Sequence, residues 1–370
     1  MVKKKIFFCK PFINHKDSCE IINRVLDTNF PNEGLFTRKF EKKIGKILKV
    51  KYVVATTSGT VSLFLALKAN NINYGDEVII PNITFSATAN AVILAGGKPI
   101  LADVNPDTLL IDETSLNQKI SKKTKFIIPV HISGRGSNIK NIIKIAKKNS
   151  IKIIEDAAEA FGSKKGKKFL GTFGEAGCFS FAPNKIITTG QGGLIVTNKK
   201  EIYKNLLKLK DHGRVGPTTG GGEDKYISVG FNFKFSNLQS ALGLSQLKNI
   251  NWRLNKLKKM YKYYYKNIIP NQKFKIINFQ LCNGEIPLWT DAYCEERDEL
   301  IKYLKSHNII CRPYWKPINT SPAYKQTFKD LPNSKKLQDK MMWLPSCLDM
   351  SSDEQYKICN LINTYFKKNK

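Results

Sequence analysis

The chain has 370 residues, 42% of them hydrophobic and 25% charged, which suits a globular protein with a full core and one large and one small domain. Its 61 Lys and Arg against 30 Asp and Glu leave a formal charge of +31, so nucleic acid has to be considered as a partner. That reading is set aside because the charge is nearly all lysine, spread along the whole chain. No arginine-based base readout or stacked aromatic platform is visible, although a positive field would still draw in an anionic substrate.

At the N-terminus, Lys3, Lys4 and Lys5 precede an apolar run that Lys10 and Pro11 cut short, so no signal peptide is expected. No later window is long and apolar enough to insert in a membrane. The eight cysteines include no close pair of the C-x-x-C kind. No metal site is expected, and scattered thiols suit a cytoplasmic location.

Through the first 200 residues or so, short apolar runs alternate with helical patterns. Strands are expected at Tyr52–Ala55, Glu77–Ile80, Pro99–Asp103, Lys125–Val130, Ile151–Asp156, Cys178–Phe181 and Gly193–Thr197. Helices are expected at Gly59–Ala69, Ser86–Leu94 and Asn138–Asn149, the last with Ile139, Ile142, Ile143 and Ala146 on one face. This alternation predicts an α/β fold with a mostly parallel central sheet, whose sites lie at the carboxyl ends of its strands. The Gly- and Thr-rich stretch Asp211–Asp224 reads as a mobile loop. Leu247, Ile250, Leu254, Leu257, Tyr261 and Tyr264 then mark one long amphipathic helix over Gln246–Asn267. The expected division is a large domain over 1–245 and a smaller C-terminal α+β domain over 246–370, opened by that connecting helix.

Chemistry concentrates at three places. Ser58-Gly59-Thr60 follows a strand and opens a helix, where free amides and the helix dipole suit a phosphate; many helices start this way without binding one. Asp156 ends a strand in Glu155-Asp156-Ala157-Ala158-Glu159, and is either a helix N-cap or a buried functional carboxylate; Glu159 either completes a capping box or faces the cofactor or sugar as a binding residue. Lys185 lies just beyond Ser180, flanked by Phe179, Phe181, Ile186 and Ile187 and then by a glycine-rich run, which argues against one more solvated lysine. A lysine amine forms a Schiff base with an aldehyde, and a carboxylate keeps a ring nitrogen protonated. Together they point to pyridoxal 5'-phosphate (PLP). Phe85 is either core or a ring that stacks on such a cofactor.

In this order the motifs resemble the DegT/DnrJ/EryC1/StrS family of PLP-dependent nucleotide-sugar aminotransferases. The resemblance runs from Phe40-Glu41 and Lys51–Thr60, through Pro81–Asn90, Pro129-Val130-His131 with Gly134, Glu155–Glu159, Phe179–Gly193 and Gly230–Asn237, to Arg312-Pro313 and Leu344-Pro345. It implies the aspartate-aminotransferase fold (fold type I) and a homodimer with shared active sites. It also implies that Lys185 carries PLP, Asp156 pairs with the ring nitrogen and Phe85 stacks on the ring. Gly59, Thr60 and Ser180 would bind the phosphate, and Asn232 would reach in from the other subunit. Glu159 matches a position that is Gln or Glu in the family. Some relatives carry histidine in place of the lysine and are sugar dehydratases, so Lys185 favours amino transfer. The stretches 184–193 and 230–243 look closest to the 4-aminotransferase branch, which includes the enzymes making perosamine. That branch uses a GDP- or dTDP-linked 4-keto-6-deoxy-hexose with L-glutamate as donor, for surface polysaccharide. Amination at C3 or of a cyclitol, or dehydration of the sugar, is the alternative. Sugar contacts are expected from Asn29–Gly34, Asp211–Asp224 and Arg312–Trp315, with Gly34 and Arg312 as substrate candidates. Arg135, Arg214 and Arg312 are candidates for the donor carboxylate.

Overall fold

The computed structural model describes residues 5–136, 138–216, 221–324 and 327–368. Its centre is a seven-stranded sheet in the order Tyr52–Thr56, Gly193–Thr197, Ala176–Ser180, Lys152–Asp156, Thr124–Ile127, Glu77–Pro81, Lys98–Ala102. Gly193–Thr197 runs antiparallel to both of its neighbours, and every other pairing is parallel. Val53-Val54-Ala55 and Val78-Ile79-Ile80 are buried because helices cover both faces. Helix Gly59–Ala69 is apolar nearly all round, with Leu63, Leu65, Ala66 and Leu67 at most 1% exposed, and lies inside the molecule. Ile139, Ile142 and Ala146 are buried in helix Ile139–Lys148, as their spacing predicts.

A second sheet pairs Phe274–Ile276, Thr290–Cys294, Met341–Leu344 and Arg312–Pro313, all antiparallel. Met260, Tyr264, Leu300, Leu304, Ile358 and Ile362, from three helices, form one core with its Ala292, Met342 and Leu344. Ile6 bridges Ile309, and Phe8 stacks on Trp343, so the start of the chain packs with this C-terminal sheet.

Three local expectations are corrected. The single helix over Gln246–Asn267 is two, Asn237–Leu247 and Ile250–Asn267, broken at Lys248-Asn249. Residue 246 therefore sits in the last turn of the first helix. The apolar spacing runs through because both helices bury the same side. Ser236 and Gln239 close a capping box on the first, worth about 1 kcal/mol. The stretch expected to be a mobile loop carries a two-residue ladder at its base, Arg214–Val215 against Lys225–Tyr226; residues 217–220 lie outside the described ones. Ala157–Ser163 makes turns rather than a helix, so Asp156 caps no helix.

Candidate active site

The carboxyl ends of strands Lys152–Asp156 and Ala176–Ser180 and the turn before helix Gly59–Ala69 open into one cavity of about 310 Å³. Gly59, Thr60, Phe85, Asp156, Glu159, Ser180 and Lys185 all line it, with Ser58, Thr84, Gln191 and Trp315. Residues spread from 58 to 315 thus meet at the edge where such sheets carry their sites.

Lys185 follows Ala176–Ser180 in a tight turn, its amide bonded to the carbonyl of Ala182. Its side chain is 12% exposed, and Nζ lies 3.1 Å from Glu159 Oε1 and 5.2 Å from the ring centroid of Trp289. Glu159 Oε2 accepts the amide of Ser133 at 2.7 Å. Burial pushes the Glu159 carboxyl up, against the opposing pull of Lys185 and of that amide. Glu159 therefore faces the cavity and closes no capping box.

Asp156 and Glu155 sit next to each other on the strand and point to opposite faces. Glu155 is a structural hub that takes His131 Nε2 at 2.8 Å and the amides of Gly171 and Gly174. Asp156 faces the cavity. Its Oδ2 accepts the hydroxyl of Thr88 at 2.8 Å, and Oδ1 accepts the amide of Ala158 at 3.1 Å. Thr84 Oγ1 lies 3.0 Å from Thr88 Oγ1. Burial raises the Asp156 carboxyl above the usual range, while Thr88, Ala158, Lys185 and His131 pull it back.

At the anion turn, Ser58 Oγ accepts the amide of Val61 at 3.2 Å. The earlier amides of Gly59 and Thr60 have no intrahelical partner and need an outside acceptor. A Cβ on Gly59 would stand 2.9 Å from Ser180 Cβ, so only glycine lets the two segments close around a small anion. A lysine amine, a buried carboxylate and an anion turn in one cavity, with Phe85 and Trp315 rings 5.8 Å apart at its mouth, fit PLP. Among the described residues, no cluster of His, Cys, Asp and Glu could hold a metal, and no helix is long and apolar enough to cross a membrane.

Other expected residues lie elsewhere. Asn232 is exposed and off the cavity, its backbone bridging Asp211. Gly34 is the N-cap of helix Leu35–Leu48; Asn237 Oδ1 takes the amides of Phe36 and Thr37, and a Cβ at 34 would stand 2.8 Å from Asn237 Nδ2. Phe30, Asn32, Glu33, Asp211, Arg214 and Lys234 line a separate cavity of about 870 Å³, which unites two of the loops expected to hold the sugar. Arg135 is not available as a carboxylate clamp: it is 1% exposed, paired with Asp291 and bonded to the carbonyls of Ile277 and Asn278. Arg214 is engaged by Asp211 and Asp224. Arg312 is exposed, with its guanidinium 6.0 Å from the Phe8 ring centroid. Trp315, at the end of the expected Arg312–Trp315 segment, lines the cavity, while Thr88, Trp289 and Ser133 were missed. A hydroxyl one turn beyond Thr84 was the one local signal for Thr88, and the others have none.

The DegT/DnrJ/EryC1/StrS aminotransferase family model matches residues 13–363. The GDP-perosamine synthase of Escherichia coli O157:H7 is 34% identical over 96% of this chain and 97% of its own. The dTDP-4-amino-4,6-dideoxy-D-glucose transaminase of Shigella dysenteriae is 32% identical over 88% of each. Helicobacter pylori PseC, an aminotransferase involved in the biosynthesis of pseudoaminic acid, superposes with a TM-score of 0.91 at 26% identity, covering 99% of this chain and 100% of its own. With the lysine, carboxylate and anion turn already in one cavity, the chain belongs to the DegT/DnrJ/EryC1/StrS aminotransferase family, with that family's PLP dependence and fold type I architecture.

Proposed function

We propose that the protein moves the amino group of L-glutamate onto C4 of a nucleotide-linked 4-keto-6-deoxy-hexose. The observation that carries this is Lys185 meeting both Glu159 and the Asp156 cavity, in a chain 34% identical to a GDP-perosamine synthase along almost its whole length. GDP is the favoured nucleotide, and the likeness to a dTDP-sugar transaminase keeps dTDP as the second.

PLP supplies the electron sink that makes the donor's α-carbon acidic. The residues around it do the rest. Asp156, buried at the cavity wall, would pair with the ring nitrogen and keep it protonated. Gly59, Thr60 and Ser180 hold a phosphate by amides and a hydroxyl. Phe85 covers the ring face. Lys185 would hold the cofactor and move the proton at the donor carbon, with Glu159 fixing its amine. Arg312, the one of the three candidate arginines outside a buried or bidentate acid contact, binds the donor carboxylate.

The division near residue 246, a cytoplasmic location and a homodimer with shared sites belong to the same reading. In its support, Tyr226, Ile227 and Val229 are 60%, 62% and 83% exposed beside Asn232, which stands away from its own cavity. Sedimentation would return a monomer if the dimer is wrong. The function is tested with GDP-, dTDP- and UDP-linked 4-ketosugars and glutamate, with products analysed by mass and NMR. A C4-amino product is expected; nitrogen at C3, or no new nitrogen, refutes the assignment.

A further inference from the structure

A continuous line of bonds runs from Lys185 to the four-stranded sheet. Lys185 Nζ meets Glu159 Oε1 at 3.1 Å, and Glu159 Oε2 accepts the Ser133 amide at 2.7 Å. Ser133 Oγ donates to Asp291 Oδ1 at 2.9 Å, on strand Thr290–Cys294. Asp291 is paired with Arg135, whose guanidinium lies 3.6 Å from the Phe279 ring centroid. Ser133 and Asp291 are fully buried, Arg135 is 1% exposed and Glu159 5%.

Ser133 is an unexpected residue for this position. Its φ of 51° and ψ of 12° are left-handed, a conformation that side-chain-bearing residues avoid. Its carbonyl accepts from Leu288 and its hydroxyl serves Asp291, both beyond residue 246, while its amide serves Glu159 in the cavity, so it joins that cavity to the C-terminal part. Tyr314 Oη, 3.4 Å from the Ser133 hydroxyl, closes the cluster from the segment after strand Arg312–Pro313.

We propose that Ser133 is a positioning residue: its hydroxyl, anchored on Asp291, sets its amide against Glu159 and so fixes the amine of Lys185 in register with the four-stranded sheet. This rests on the reading of Lys185 as the cofactor-bearing amine. Lys185 also faces Asp156 and Cys9, and Glu159 faces Asp156 and Tyr314, so their charges set the background against which any change is read. Losing the hydroxyl frees the amide to drift from Glu159. The carboxylate then stabilises a positive charge at Lys185 less well.

The test uses the PLP-loaded enzyme and the variants Ser133→Ala and Ser133→Gly. The visible absorbance of the lysine-bound cofactor should change form at a lower pH in both. kcat should fall about tenfold, the low end for a hydrogen bond to a charged group, with KM for the sugar nucleotide unchanged. Ser133→Gly relieves the left-handed strain but loses the bond to Asp291, so a merely structural serine predicts a shifted urea midpoint with the parental transition pH and kcat. If Ser133→Ala fails to fold, Ser133→Gly alone decides. A transition at the parental pH with parental kcat in a folded variant overturns the proposal. Borohydride labelling of the parent at a residue other than Lys185 overturns the underlying reading instead.

Discussion

Thr88→Val isolates the environment of Asp156 without touching the cavity's charges. The Thr88 hydroxyl is one of two donors to that carboxylate, the other being the Ala158 amide. A hydrogen bond to a charged group is worth about 1.5–3 kcal/mol, and one pKa unit corresponds to about 1.36 kcal/mol. The hydroxyl favours the ionised form, so removing it raises the Asp156 pKa further. This adds to the upward push that burial already exerts. Turnover needs the ionised carboxylate, so the acid limb of the kcat profile should move to higher pH, with activity on that limb lower by about tenfold or more and restored above it. Thr88→Ser keeps the donor and should keep the parental limb. Valine also leaves the Thr84 hydroxyl without its partner, which costs about 1–3 kcal/mol of stability, read separately by urea unfolding. The measurement is kcat against pH for parent, Val and Ser enzymes, each saturated with cofactor. Superimposed acid limbs for parent and valine enzymes would refute the claim that Thr88 holds Asp156 ionised.

Lys185→Ala should keep the parental circular dichroism yet lose both turnover and the visible absorbance of bound cofactor; surviving turnover would remove Lys185 from the chemistry. Arg135→Met leaves Asp291 buried and unpaired, and should cost about 3–5 kcal/mol in urea unfolding, much of it recovered by adding Asp291→Leu. Gly59→Ala pushes a methyl to within 2.9 Å of Ser180 Cβ and should weaken PLP binding about tenfold by fluorescence titration, with the fold intact.

Much of this molecule is written locally. Alternating apolar runs and helical spacing specify the seven strands to within a few residues, because a strand buried on both faces needs continuous Val and Ile. Lys185 could be singled out from its flanks, since a lysine among apolar neighbours has few explanations, whereas Gly59 at a helix start gained its meaning from standing beside Ser180. The ladder of Arg214–Val215 with Lys225–Tyr226 escaped because the glycines of its stretch speak for flexibility, while its stability comes from Arg214 bridging Asp211 and Asp224. The break at Lys248-Asn249 escaped because hydrophobic spacing records which side is buried and not whether the backbone is continuous.

Only the tertiary structure decided which charged groups were free. Arg135 reads as an available cation until Asp291, on a distant strand, is seen to neutralise it. Glu159 reads as either a capping residue or a cavity one until the turn after Asp156 is seen to set it against Lys185. Trp315 meets Phe85, and Ile6 meets Ile309, across separations that leave no periodic trace. Such pairings arise when two sheets bury their faces together, and a code of nearest neighbours cannot specify them; the order of apolar and polar residues determined the elements, and the packing between them determined the site's electrostatics.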